Sequence, residues 1–195
     1  MPSAASSSAD RPTVFRAGLV RAVSRDDRHR FSKQPRAEIR LVAGHGVDGD
    51  AHAGTTVQHL HPRRRHPERP NLRQVHLLDE EFLLEAAAHG FALGPGDLGE
   101  NVLTSGIRLR DLPEGTHLTL GGTATVRVTG LRNPCRQIDD LRPGLLRLAV
   151  GRDADGAVVR RVGVMAVVTT SGPVAAGRPI TVRLPAAPHR PLQQV

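Results

Sequence analysis

The 195-residue chain contains one cysteine, and its neighbours make it the first candidate for chemistry. Cys135 lies in residues 128–140 (VTGLRNPCRQIDD), after a β-type run and directly after a proline. A turn that holds Cys135 between Arg132 and Arg136 would lower the pKa of the thiol, because nearby cations favour the thiolate. A thiolate attacks electrophiles and binds soft metals. The alternative is a small buried hydrophobic residue, as many free cysteines are.

A second candidate is the glycine-rich segment 93–106 (LGPGDLGENVLTSG). Its glycines and proline predict a turn that ends in Gly99, Glu100 and Asn101. Such a turn could offer backbone N–H groups to an anion or side-chain groups to a heterocycle. It matches neither a Walker loop nor a dinucleotide fingerprint.

Histidines and carboxylates give weaker signals. Asp139 and Asp140 form a pair of carboxylates close to the cysteine, whereas Asp153 and Asp155 are typical of a hairpin turn. Five histidines cluster in sequence, but a zinc site is not favoured, because no additional ligands stand near them at the spacing that zinc sites use. Those histidines are His45, His52, His59, His61 and His66.

The elements that must position these residues are mostly strands. Short apolar alternations between Gly- and Pro-containing turns predict a mainly β fold, an α+β barrel with one or two short helices. One helix is expected at 80–89, with Asp79 as N-cap and Gly90 after its end, and a shorter one at 143–150. The strands are predicted at 13–23, 38–42, 71–78, 116–120, 123–129, 157–162, 164–170 and 179–184.

Length and composition indicate one domain over 13–185, between a disordered lead-in at 1–12 and a flexible tail at 186–195. One cysteine excludes an internal disulfide. No run of about 18 apolar residues is present, so we expect no membrane span. The first residues lack the apolar core of a secretory signal, and a cytoplasmic location is therefore expected.

The net charge of +8 is concentrated early in the chain. Residues 11–73 carry fourteen Lys and Arg against six acidic residues. This excess would suit a phosphorylated small molecule, a nucleic acid or a membrane surface, although the most basic stretch, 59–70, could also be a solvated loop. With four Phe and no Trp or Tyr, the chain lacks platforms for base stacking, so we expect no nucleic-acid partner.

Five sequence blocks, taken in order, resemble the MOSC domain, named after the C-terminal domain of molybdenum-cofactor sulfurase. The resemblance covers about residues 35–185, and it implies a β-barrel that binds the molybdenum cofactor, a pterin with a phosphate and a dithiolene that holds Mo. The blocks are 46–54 (GVDGDAHAG), 73–76 (RQVH), 95–101 (PGDLGEN), 130–135 (GLRNPC) and 163–168 (GVMAVV).

The resemblance implies that Cys135 ligates Mo or carries sulfur. The residues themselves suggest the other roles for such a cofactor. Asp139, a few residues after the cysteine, would deliver protons, and Arg63, Arg64 or Arg65 would meet the cofactor phosphate. The other residues expected to bind the cofactor are His52, Gly99, Glu100, Asn101, Arg132, Asn133 and Arg136.

The implied activity is the reduction of N-hydroxylated compounds, and a non-catalytic carrier of cofactor or sulfur is the alternative. The chain lacks the cysteines of an iron–sulfur domain, so electrons would come from a separate electron-donor protein, a flavoprotein or iron–sulfur protein. Lys33 lies in a charged loop and is a poor candidate for a pyridoxal-phosphate lysine.

Overall fold

The computed structural model describes residues 13–58 and 67–195. The predicted lead-in at 1–12 lies outside this part, and so do Arg63, Arg64 and Arg65.

Strands dominate the described residues, with three short α-helices and one 3-10 helix among them. The helices are α1 (Glu80–Ala88), α2 (Gln137–Leu141), α3 (Leu145–Ala149) and the 3-10 turn Leu109–Asp111. The strands are β1 (Val14–Arg25), β2 (Gln34–Arg36), β3 (Glu38–Val42), β4 (Gly46–Val47), β5 (Val75–Asp79), β6 (Val102–Ser105), β7 (His117–Leu120), β8 (Ala124–Leu131), β9 (Val150–Arg152), β10 (Val158–Arg160), β11 (Val164–Thr170), β12 (Gly172–Ala175) and β13 (Pro179–Arg183).

Seven strands close into a barrel in the order β13-β7-β8-β11-β5-β6-β1, and β1 pairs with β13 to complete it. The first half of β1 pairs with β13 and its second half with β6, with register shifts in both pairings. All barrel pairs are antiparallel except β5 and β6. A parallel pair needs a crossover, and α1 with the glycine-rich segment supplies it.

Apolar side chains fill the barrel because successive strand residues point to opposite faces. In β7 and β8 the inward residues Leu118, Leu120, Val126 and Val128 are fully buried. A second cluster packs α1 against α2 and α3, with Phe82, Leu98, Ile138 and Leu145 at its centre. This cluster supports the segments that lead into and out of the site described below.

The mainly β barrel is confirmed, with three short helices in the described ranges where one or two were expected. Strands β3 and β11 have the predicted bounds, and the turn after β9 is the predicted hairpin. The extra helix, α2, is a single turn of five residues, too short to show a helical period.

The C-terminal residues form contacts that the prediction of a flexible tail did not include. Leu192 is buried, and the Leu131 N–H donates to the carbonyl of Gln193 at 2.8 Å. The segment therefore lies along the end of β8. None of the described helices is long and apolar enough to span a membrane.

Candidate functional site

A cavity of about 620 Å³ opens where β1 and β8 end and where β5, β6 and β11 begin. Its size is typical of a pocket for a small ligand. Residues far apart in sequence meet in its wall, among them Phe31, Lys33, His76, Asn101 and Cys135. The barrel topology brings them together.

Cys135 lies in the turn between β8 and α2. Pro134 has no N–H to continue the ladder, so the strand has ended before it. The half-buried thiol donates to Oε1 of Gln137 at 3.4 Å, and Cys135 lines the cavity with Asn133.

Arg132 brings a positive charge to the cavity wall. Its guanidinium lies 5.6 Å from the ring centroid of Phe31, and its Nη1 is buried without a hydrogen-bond partner in the described residues. Burial lowers the pKa of Arg132, an effect that Coulombic interactions with Cys135 and Glu100 oppose. The side chain nevertheless stays a cation, because the guanidinium is so basic.

Arg73 lines the same cavity and is half-buried. Burial lowers the pKa of Arg73 as well. Two partly desolvated guanidinium groups in one wall favour an anionic ligand.

The glycine-rich segment supports this wall from behind. Gly96 has φ +87° and Gly99 has φ +79°. A Cβ on Gly96 would lie 2.2 Å from the Lys33 carbonyl oxygen, and a Cβ on Gly99 would lie 2.5 Å from the Phe31 carbonyl oxygen. The Lys33 N–H donates to the Gly96 carbonyl at 2.8 Å. Because Gly96 and Gly99 have no side chains, the glycine-rich segment can approach the backbone of Phe31 and Lys33 closely. This contact holds Phe31 and Lys33 at the cavity.

Glu100 is 1% exposed and lies behind the cavity, not in its lining. Its Oε1 accepts the Gly96 N–H at 2.5 Å, while its Oε2 is buried without a hydrogen-bond partner in the described residues. Burial raises the pKa of Glu100 to about 7. Glu100 thus supports the loop, and Gly99 beside it lines the cavity.

Asn101 joins two parts of the site. Its Oδ1 accepts the His76 N–H at 3.1 Å, and its Nδ2 donates to Oδ2 of Asp50 at 3.0 Å. His76 is buried, and its Nε2 lies 2.8 Å from the carbonyl of Val162. Burial lowers the pKa of His76 to about 3, so the ring is neutral and Nε2–H is the donor.

Asp50 is the centre of a buried polar network. Its Oδ2 accepts from Lys33 Nζ and Asn101, and its Oδ1 accepts from the N–H and Nδ1 of His52 at 2.9 and 3.2 Å. Burial alone would raise the pKa of Asp50, but the bonds from His52 and the charge of Lys33 hold it below the usual range. Asp50 is therefore an anion held between a cation and an imidazole.

Two predicted residues point elsewhere. The Arg136 side chain is 91% exposed and lies 3.7 Å from Asp140. Asp139 accepts the Leu146 N–H at 2.7 Å, which satisfies a donor in the first turn of α3. Neither is among the described residues that line the cavity.

The sequence analysis assigned no role in the site to Asp50 or to four residues of the cavity lining, which are Phe31, Lys33, Arg73 and His76. Lys33 did carry a signal, since it is the one lysine among 27 basic residues. Within the described ranges, no three His, Cys, Asp or Glu side chains group as metal ligands, and His59, His61 and His66 lie outside those ranges.

The class of protein is now defined by a closed seven-stranded barrel with a cysteine and three arginines at one cavity. The MOSC domain model matches residues 48–181, more than half of the chain. The chain belongs to the MOSC domain family, whose members generally bind the molybdenum cofactor.

Solved structures share this fold. YuaD from Bacillus subtilis is 22% identical, with a TM-score of 0.72, over 89% of this chain and 99% of its own. YiiM from Escherichia coli is 19% identical, with a TM-score of 0.58, over 90% of this chain and 73% of its own. A search of the curated proteins found no match.

Proposed function

We propose that the cavity binds the molybdenum cofactor and that the chain reduces N-hydroxylated compounds, with Sγ of Cys135 as the protein's ligand to Mo. One observation carries the proposal: Cys135 lines the same 620 Å³ cavity as Arg132, whose buried Nη1 has no hydrogen-bond partner in the described residues. A buried charged donor without a partner is costly, and an anionic ligand would remove that cost.

The donor set suits this cofactor. A thiolate is a good ligand for a soft metal already held by sulfur. Arg132 and Arg73 would meet its anionic groups, since guanidinium groups bind phosphate well. Arg63, Arg64 and Arg65 remain predicted phosphate ligands outside the described residues.

The bound cofactor would supply two-electron redox chemistry. The chain's own residues orient it and restrict water. Phe31 covers one side of Arg132, and Leu98 and Met165 add apolar surface to the lining. Asn133 and Gly99 lie in the same lining and could donate hydrogen bonds to the edge of a pterin.

A carrier of cofactor or sulfur is the second candidate function. Cys135 is half-buried in a turn, and its thiol contacts a side chain, Gln137, that can move aside. A sulfur atom bound to Sγ would therefore be accessible to a partner protein.

The test is the metal content of protein from a host that makes the cofactor. Wild type should contain Mo and pterin in near-equal amounts, and Cys135→Ala should lose Mo at least tenfold. Cys135→Ser is the matched variant, because it keeps the size of the side chain but removes the soft ligand. Wild-type protein without Mo, or both variants with full Mo, would contradict the proposal.

A second measurement separates enzyme from carrier. An N-hydroxylated purine is incubated with loaded protein and a chemical reductant, and the amine product is quantified. Amine formation that is lost in Cys135→Ser supports the reductase. A persulfide on Cys135 by mass spectrometry, together with no amine, would favour the carrier instead.

A further inference from the structure

The histidine at the cavity wall is held by a carboxylate that is itself held from several sides. His52 lines the cavity and its side chain is 21% exposed, whereas that of Asp50 is 2% exposed. The 3.2 Å contact between His52 Nδ1 and Asp50 Oδ1 is supported by the His52 backbone N–H, which donates to the same oxygen at 2.9 Å. Two bonds to one oxygen fix the ring relative to the carboxylate.

Asp50 cannot rotate away from His52 without breaking other contacts. Its second oxygen accepts from Lys33 Nζ, from Asn101 Nδ2 at 3.0 Å and from the Asp26 N–H at 3.4 Å. Lys33 is itself buried, and its backbone is fixed by the glycine-rich segment. The carboxylate is therefore oriented before any ligand binds.

This arrangement selects one tautomer of His52. An ionised carboxylate has no hydrogen to donate, so Asp50 is the acceptor in its contact with Nδ1 as well. Nδ1 of His52 then carries the proton, and Nε2 is the basic nitrogen of the ring. The His29 ring, whose centroid lies 5.1 Å away at an interplanar angle of 66°, packs edge-on and limits ring rotation.

We infer that His52 is the proton donor to substrate in this cavity, with Asp50 as the positioning residue that sets its tautomer. The inference rests on the proposed function for its substrate class, and on the Asp50–His52–Lys33 geometry for its residues. Asp139, the earlier candidate for proton delivery, is engaged with α3.

The reaction balances as follows. An N-hydroxylated base R–NH–OH takes two electrons, which the separate electron-donor protein provides, and two protons. The N–O bond breaks, the nitrogen is reduced to the amine, and the hydroxyl leaves as water. His52 gives a proton from Nε2 to the departing oxygen and recovers it from solvent, while Asp50 holds the ring through Nδ1. The second proton, which the nitrogen takes up, comes from solvent.

The tautomer is tested by two-bond ¹H–¹⁵N NMR of the histidine rings in the unloaded wild-type protein. His52 should show the Nδ1–H pattern at neutral pH, with its signals assigned through His52→Gln. His76 is the internal reference for the opposite tautomer, because its Nε2–H donates to a carbonyl. A His52 with the Nε2–H pattern would overturn the inference.

Asp50→Asn tests the positioning role in the same spectrum. The His52 pattern should change, while that of His89 stays constant. His89 directly follows α1, and its Nδ1 lies 2.8 Å from the Glu85 carbonyl oxygen. An unchanged His52 pattern in a folded variant would contradict the role of Asp50. If Asp50→Asn fails to fold, Lys33→Met removes one of the other contacts of the carboxylate and is examined for the same change.

The proton role is tested in loaded protein by comparing metal content with turnover. His52→Gln should keep its Mo and lose amine formation by about 10²- to 10⁴-fold, the usual contribution of a general acid. Loss of Mo in this variant would overturn the inference and make His52 a cofactor ligand. Absence of activity in wild type with the expected tautomer would instead reject the proposed reductase.

Discussion

Glu100 and Arg132 each bury a polar atom that has no hydrogen-bond partner in the described residues. Arg132 reaches the cavity, so a ligand can satisfy it, whereas Glu100 lies behind the wall. The structure lowers the cost at Glu100 in another way, since burial raises the pKa of its carboxyl to about 7. At the residue scale, the unpartnered Nη1 of Arg132 indicates a bound ligand, and the unpartnered Oε2 of Glu100 indicates a protonated carboxyl group.

Glu100→Gln should reveal that proton through stability. The pKa is raised from 4.5 to about 7 on folding, so between these values the unfolded chain loses the proton and the native state keeps it. Wild-type stability therefore falls relative to the variant as pH rises from 4.5 to 7, by about 3 kcal/mol at 1.4 kcal/mol per pKa unit.

The measurement is urea unfolding of both proteins at pH 4.5 and at pH 8. The difference in the free energy of unfolding between wild type and Glu100→Gln is compared at the two pH values. This cancels the titration of other groups such as Asp79 and His76, which is common to both proteins. A difference that does not change with pH would show that Glu100 is ionised in the native state.

At this scale the sequence predicted some of the residues that line the cavity. Cys135, Asn133, Arg132, Asn101, Gly99 and His52 were predicted and line the cavity. Lys33, Asp50 and His76 were not, because most of their side-chain partners are 17 or more residues away. No local spacing encodes a buried ion pair between two loops.

At the scale of elements, the glycine-rich segment and the loop after β1 form one unit. Gly96 approaches the Lys33 carbonyl so closely that a Cβ would collide with it. The turn itself was predictable from three glycines and a proline, but the partner segment was not. The same holds for the C-terminal segment, whose prolines indicate a loop and whose contact with β8 appears only in the fold.

Gly96→Ala should be more destabilising than a glycine substitution whose only cost is a positive φ angle. Gly90 is the matched control, with φ +85° against +87° and no atom within 4 Å of a Cβ. We expect about 1–2 kcal/mol for Gly90→Ala, from the positive φ, and at least about 2 kcal/mol more for Gly96→Ala.

Urea unfolding of the two variants gives this comparison directly. The His52 ring signals should also shift in Gly96→Ala, because Lys33 and hence Asp50 would move, and should not shift in Gly90→Ala. Equal losses of stability in the two variants would rule out the close approach.

At the scale of the whole molecule, barrel closure decides where the charge lies. Alternation in single strands predicts a β fold, but the pairing of β1 with β13 joins strands more than 150 residues apart and has no local signal. Closure and crossover place Arg30, Lys33 and Arg73, all from the basic first third of the chain, in the same cavity wall as Arg132. Part of the early positive charge thus lies at the cavity, where these four residues form a basic face.

A basic face suits an acidic electron donor, and we predict that charge steers the two proteins together. The rate of electron delivery by an acidic flavoprotein or iron–sulfur protein should fall about tenfold between 20 and 200 mM salt, as screening shortens the range of attraction. Delivery by a neutral small-molecule reductant should barely change over this range.

Two charge reversals localise the effect. Arg136 is exposed next to Cys135, whereas Arg178 packs beside Gly121 at the opposite end of β8, about 25 Å away at roughly 3.3 Å per residue. Arg136→Glu should slow delivery at low salt and converge with wild type at high salt, with Mo content retained. Arg178→Glu should behave as wild type, because the donor would dock at the cavity end. Equal slowing by both variants would mean that net charge, and not charge at the cavity end of the barrel, attracts the donor.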